Sequence, residues 1–134
     1  MKKIYEAVIK NTGGRDGYVI SPDETFKYKI TAPGVKTNNS TNPEQLFAAG
    51  YSSCFNGALQ LVMKLHNNVH PSTITAKVSL FEDDKTGFTI QVVLEVKIED
   101  IDHETATKFV AEADQVCPYS KAIKNNVKVD IIVL

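Results

Sequence analysis

The sequence predicts an α+β domain in which an antiparallel β-sheet covers a long central helix. Three observations carry that expectation. The elements run strands, helix, strands, helix, strand, which is not the strict alternation of a parallel α/β sheet. The stretch from Leu46 to Leu65 repeats its apolar residues at steps of three and four. A length of 134 residues, 43% hydrophobic and 23% charged, suits one domain with a sizeable core, so a single domain over residues 1–134 is expected.

Ile4 to Ile9 alternates apolar and polar side chains and reads as a strand. Tyr18–Ile20 and Phe26–Ile30 read as a hairpin turning at Ser21-Pro22-Asp23. A polar connection from Ala32 to Thr41 follows. Asn42-Pro43-Glu44-Gln45 then supplies an N-cap, a proline at the first helical position and a capping-box glutamine. The helix it starts carries so few charges that burial over most of its circumference is expected. Thr73–Phe81 and Phe88–Ile98 alternate about the charged turn Glu82 to Gly87, as in a second antiparallel hairpin. Asp102 caps a helix through Phe109 and Val116 that Cys117-Pro118 breaks. A turn from Tyr119 to Ile123 and a strand from Val127 to Val133 close the chain.

Fifteen basic against sixteen acidic side chains give a net charge of −1. No positive field draws in nucleic acid or anionic lipid, so neither is an expected partner. Leu46–Leu65 is interrupted by Ser52, Ser53, Asn56, Gln60 and Lys64, which argues against a membrane span. MKKIYEAVIK lacks the apolar run of a signal peptide, so a cytoplasmic location is expected. Asn38-Asn39-Ser40 and Asn39-Ser40-Thr41 match the glycosylation pattern, which is irrelevant without export.

The two cysteines, Cys54 and Cys117, are too few for a disulfide-stapled scaffold. They stand 63 positions apart, which excludes a C-x-x-C motif, so only tertiary folding brings them together. Cys54, on the apolar stripe of the long helix, reads equally as a small buried hydrophobe. Cys117 precedes a helix-breaking proline, where a helix terminus can lower a thiol pKa; the plainer reading is packing at a kink. Gly13-Gly14-Arg15-Asp16-Gly17 lacks phosphate-loop spacing and instead makes a tight turn that presents Arg15, which could also be an ordinary exposed charge. Glu44, at the second helical position, is favourable against the helix dipole whatever else it does. His66 and His70 have i, i+4 spacing but no third ligand near them, and no metal or other cofactor is expected.

Three separated motifs nevertheless occur together. They are Gly13-Gly14-Arg15-Asp16-Gly17, the run Thr41-Asn42-Pro43-Glu44-Gln45-Leu46-Phe47-Ala48-Ala49-Gly50-Tyr51-Ser52-Ser53-Cys54-Phe55, and Val116-Cys117-Pro118-Tyr119-Ser120. In that order they resemble the organic hydroperoxide resistance (Ohr) branch of the OsmC/Ohr family over almost the whole chain. Arg15 in its glycine turn favours the Ohr branch over the OsmC branch.

The resemblance implies a thiol peroxidase for organic hydroperoxides such as alkyl and fatty-acid hydroperoxides. Cys54 would be the peroxidatic thiol and Cys117 the resolving thiol, with Arg15 and Glu44 completing the site. It also implies an intertwined homodimer and reduction by dihydrolipoamide carried on lipoylated proteins. The residue chemistry is compatible. A free thiol is only a few per cent thiolate at neutral pH, and apolar burial lowers that further unless a cation such as Arg15 compensates. Glu44 can hold that arginine in a bidentate pair. Phe47, Tyr51 and Phe55 are candidate apolar walls for the substrate.

Two segments depart from relatives: Val35 to Ser40, often glycine-rich, and the short charged turn Glu82 to Gly87. Neither touches the four candidate catalytic residues, so they bear on substrate shape. The rival readings are a non-enzymatic cysteine redox sensor and a small-ligand-binding module, which turnover distinguishes from an enzyme.

Overall fold

A computed structural model describes residues 1–35, 37 and 39–134. Lys36 and Asn38, within the polar connection and the first glycosylation match, lie outside the described residues. The chain divides into two compact units, Met1–Leu46 and Phe47–Leu134.

The first unit holds a four-stranded sheet in sequence order: β1 (Lys10–Thr12), β2 (Gly17–Ile20), β3 (Lys27–Ile30) and β4 (Ser40–Thr41). β1, β2 and β3 pair antiparallel, while β4 adds parallel to β3. The β2–β3 hairpin matches the sequence reading, and its loop is tied by Ser21, whose Oγ accepts from the Phe26 N–H at 3.0 Å. The strand expected over Ile4–Ile9 is absent. The ladder starts at Lys10, which faces Ile20, where β2 itself ends, so the preceding residues meet no strand in this unit. Ile4 is 90% exposed and Tyr5 80%. Alternation there marks strand propensity with no pairing edge to realise it.

α1 (Pro43–Leu65) starts as expected, with Asn42 Oδ1 accepting the Gln45 N–H at 2.8 Å. The Gln45 side chain does not reach back to close a capping box; its Oε1 accepts from the Thr41 hydroxyl instead.

In the second unit β5 (Ser72–Asp83) and β6 (Gly87–Ile98) form a long antiparallel hairpin. α2 (His103–Val116) and α3 (Pro118–Ile123) then lead to β7 (Lys128–Val133). β7 lies parallel to β6, a departure from the purely antiparallel expectation. A parallel neighbour needs a crossover connection, and the two helices between β6 and β7 supply it. Asp102 caps α2 as predicted, its carboxylate accepting the Thr105 N–H at 2.9 Å.

The core of this unit joins Tyr51, Phe55, Leu59, Val62 and Met63 of α1 to Val92, Leu94 and Val96 of β6 and to Phe109, Val110 and Ala113 of α2. The burial of α1 is narrower than expected. β6 and α2 cover one stripe of the helix, while Leu61 and Leu65 stay exposed. Among the described residues no helix is long and apolar enough to cross a membrane.

Candidate active site

In the first unit, the β1–β2 turn is built to present Arg15. Gly13 and Gly14 both have positive φ, at 88° and 61°, which glycine adopts without a steric penalty. A side chain on Gly17 would collide with the Thr12 carbonyl. Asn11 braces the loop from below: its amide donates to the Gly14 and Tyr18 carbonyls, and its oxygen accepts the Gly14 N–H at 3.0 Å.

The arginine so displayed meets Glu44 in the first turn of α1. Nη1 donates to Oε2 at 3.0 Å and Nη2 to Oε1 at 2.7 Å, the parallel fork that fixes a guanidinium in orientation as well as position. The two partners respond consistently. Hydrogen bonding from Arg15 holds the Glu44 carboxyl below the usual carboxylate range, and Glu44 raises the already high pKa of Arg15. Arg15 remains about half exposed, so the pair contributes modestly to stability. Its main effect is geometric.

In the second unit, folding brings the two thiols together. Cys117 Sγ lies 3.6 Å from Cys54 Sγ, both sulfurs free. Cys54 projects from the middle of α1 and is partly exposed; Cys117 is fully buried. Cys117 ends α2 and caps α3, a position created by Pro118, which cannot continue a helix but can begin one. Burial pushes the Cys54 thiol pKa up, the nearby Cys117 thiol adds to the rise, and a hydrogen bond from the Tyr119 backbone N–H opposes it. A disulfide needs sulfurs about 2.05 Å apart, so closure from 3.6 Å is a short movement rather than a refolding step.

The three aromatic candidates differ in access. Phe47 is partly buried, while Tyr51 and Phe55 have no exposed surface. Phe47 and Tyr119 meet edge to face at 6.2 Å, and Phe47 and Tyr51 likewise at 6.2 Å. His66 Nε2 is engaged by Glu112 at 3.0 Å, and among the described residues no cluster of three His, Cys, Asp or Glu is placed to hold a metal.

Tyr119, Ser120 and Gly50 carry no chemistry that their residue types alone announce. Tyr119 supplies the N–H to Cys54 and lays its ring over Gly50, where an added Cβ would come 2.6 Å from the tyrosine hydroxyl. Ser120 Oγ lies 2.7 Å from the buried Tyr51 hydroxyl. The available signal for Tyr119 and Ser120 was their place beside Cys117-Pro118, and for Gly50 its place in the run that ends at Phe55.

The sequence profile of the OsmC-like protein family matches residues 36–132. The organic hydroperoxide resistance protein OhrB of Bacillus subtilis is 43% identical over 131 residues, covering 96% of each chain. The organic hydroperoxide resistance protein-like 2 of Staphylococcus epidermidis is 42% identical over 133 residues, covering 96% of this chain and 94% of its own. The crystal structure of Bacillus subtilis OhrB superposes with a TM-score of 0.92 at 41% identity, covering 98% of this chain and all of that one. An organic hydroperoxide resistance protein from Legionella pneumophila gives a TM-score of 0.91 at 37% identity, covering 98% of both chains. At that identity and near-complete coverage, the chain belongs to the OsmC/Ohr family, in its organic hydroperoxide resistance branch.

Proposed function

We propose that this chain is a cysteine-based peroxidase that reduces organic hydroperoxides to alcohols. The observation that carries the proposal is the approach of two free thiols, 63 residues apart in sequence, to 3.6 Å with one partly exposed and the other buried. That asymmetry suits a peroxidatic and a resolving role. The thiolate of Cys54 attacks the distal peroxide oxygen. The O–O bond breaks, the alkoxide takes a proton and leaves as the alcohol, and Cys54 becomes a sulfenic acid. Cys117 then attacks the oxidised sulfur, water departs, and the Cys54–Cys117 disulfide forms.

The surroundings of Cys54 within its own unit disfavour the thiolate, so the first step needs a cation. In this proposal that role belongs to Arg15, whose guanidinium Glu44 holds in orientation. A guanidinium about 4 Å away at an effective dielectric near 20 supplies roughly 4 kcal/mol before desolvation is subtracted, which opposes the upward shift that burial gives the thiol. Its free donors polarise the peroxide and receive the developing alkoxide.

Phe47 forms the apolar wall, with Tyr51 and Phe55 as the layer behind it. Each methylene buried against that wall contributes roughly 0.8 kcal/mol, which favours alkyl and fatty-acid hydroperoxides over hydrogen peroxide. The enzyme works as a cytoplasmic homodimer. Support comes from the unpaired apolar residues Ile4, Tyr5 and Val8 and the exposed Leu61 and Leu65, surface that a second copy covers. Dihydrolipoamide, free or carried on a lipoylated protein, reopens the disulfide by exchange and is itself oxidised to the cyclic disulfide.

Steady-state turnover of cumene hydroperoxide with dihydrolipoamide, thioredoxin or glutathione as the sole reductant tests the proposal. Sustained turnover with dihydrolipoamide is expected. Oxidation that stops after one equivalent with every reductant would identify a sensor. Thiols untouched by peroxide would identify a binding module.

A further inference from the structure

We infer that the hydrogen bond between Tyr51 and Ser120 is a positioning device for disulfide formation, holding Cys117 within reach of Cys54. The inference rests on the two-cysteine reading above. Tyr51 lies three residues before Cys54 on α1, and Ser120 three residues after Cys117 on α3, so one bond of 2.7 Å links the two cysteine-bearing segments a turn away from the sulfurs. Both partners are buried, Tyr51 completely.

Packing leaves open space beside this point. A cavity of about 180 Å³ adjoins the pair, lined by Tyr51 and Asp114, by Ser120 and Ile123 of α3, and by Val129 and Ile131 of β7. α3 is only six residues long; Tyr119 packs on Tyr51 and Ile123 on the core, but Ser120 and Ile123 also border this space. A segment so placed can shift into the cavity, carrying Cys117 away from Cys54, unless a directional contact restrains it. The Tyr51–Ser120 bond is that contact. The buried tyrosine hydroxyl needs a polar partner, so the bond is also costly to leave unmade.

Once Cys54 is a sulfenic acid, two fates compete. Attack by Cys117 forms the S–S bond and releases water. A second peroxide instead adds oxygen to the sulfur, giving sulfinic acid and alcohol. Loosening Cys117 slows the first fate and leaves the second unchanged.

The test uses Ser120→Ala, Tyr51→Phe and the double variant in the full chain. Each is reduced, then oxidised with cumene hydroperoxide or with diamide, which takes two electrons and two protons from a thiol pair without peroxide chemistry. Formation of the Cys54–Cys117 disulfide is followed by peptide mass. Each single variant is expected to form it with diamide about three- to tenfold more slowly than wild type, and the double variant no more slowly than either. Ser120→Ala is expected to lose its Cys54 thiol to peroxide at the wild-type rate while accumulating more sulfinic acid. A wild-type diamide rate in both single variants overturns the inference, as does multiplicative slowing in the double variant. If the variants slow with diamide but peroxide leaves the wild-type thiols free, the positioning role stands and the peroxidase reading fails.

Discussion

Cys117 Sγ sits 3.6 Å from Cys54 Sγ because Pro118 breaks the chain between α2 and α3 at the point where that junction packs on the middle of α1. The two sulfurs therefore have unequal roles open to them. Replacing Cys54 with Ser is expected to reduce hydroperoxide turnover to background, since it removes the proposed nucleophile. Cys117→Ser is expected to keep the first oxidation but form no intramolecular disulfide, so Cys54 advances to sulfinic acid under excess peroxide. Peptide mass after graded peroxide separates the two outcomes. A disulfide-free Cys117→Ser enzyme that resists over-oxidation would contradict the assignment.

The proposed action of Arg15 on Cys54 predicts a change in thiol acidity. Removing the cation in Arg15→Ala is expected to move the pH midpoint of Cys54 alkylation up by about one to three pH units. Glu44→Gln, which keeps Arg15 but loosens its orientation, should shift it less and in the same direction. The readout is the iodoacetamide rate against pH in a Cys117→Ser background. An unchanged midpoint in Arg15→Ala would mean the guanidinium does not act on the sulfur.

Glu44 also sets an acid limb for stability. Its carboxyl is held below the ordinary value of about 4.3 chiefly by hydrogen bonding from Arg15. A depressed carboxylate contributes stability that is complete above the unfolded value and disappears as pH falls through the folded one. Thermal melts between about pH 6 and pH 3 should show wild type losing stability faster than Glu44→Gln at the acid end. Parallel curves would contradict that linkage.

Much of this architecture is legible in the sequence because its signals are local. The start of α1 follows from Asn42-Pro43, the long hairpin from period-two alternation about Glu82–Gly87, and the α2–α3 break from Cys117-Pro118. What the sequence hides is non-local. The parallel pairing of β7 with β6 depends on how α2 and α3 cross the sheet, and Ile4–Ile9 has strand character without a strand to join. The site divides in the same way. Residue types and motif order point to Arg15, Glu44, Cys54 and Cys117, whereas the Tyr51–Ser120 bond spans 69 residues and has no periodic signature.

Gly50 gives a stability prediction with two opposing terms. Alanine gains about 1 kcal/mol of helix propensity, but its Cβ meets the Tyr119 ring, and overpacking costs typically about 1–3 kcal/mol. Gly50→Ala is therefore expected to be destabilised by up to about 2 kcal/mol, measured by urea unfolding. Leu59→Ala, at a fully buried core position, should lose about 2–5 kcal/mol. A larger loss at Gly50 than at Leu59 would contradict this ordering.

The most direct test is a titration of the fully reduced protein with cumene hydroperoxide and, separately, with hydrogen peroxide. Free thiols are counted and any disulfide is located by peptide mass. One equivalent of the organic peroxide per chain is expected to link Cys54 to Cys117 rapidly, with hydrogen peroxide slower. Persistence of both thiols, or over-oxidation of Cys54 without engagement of Cys117, would contradict the two-cysteine mechanism.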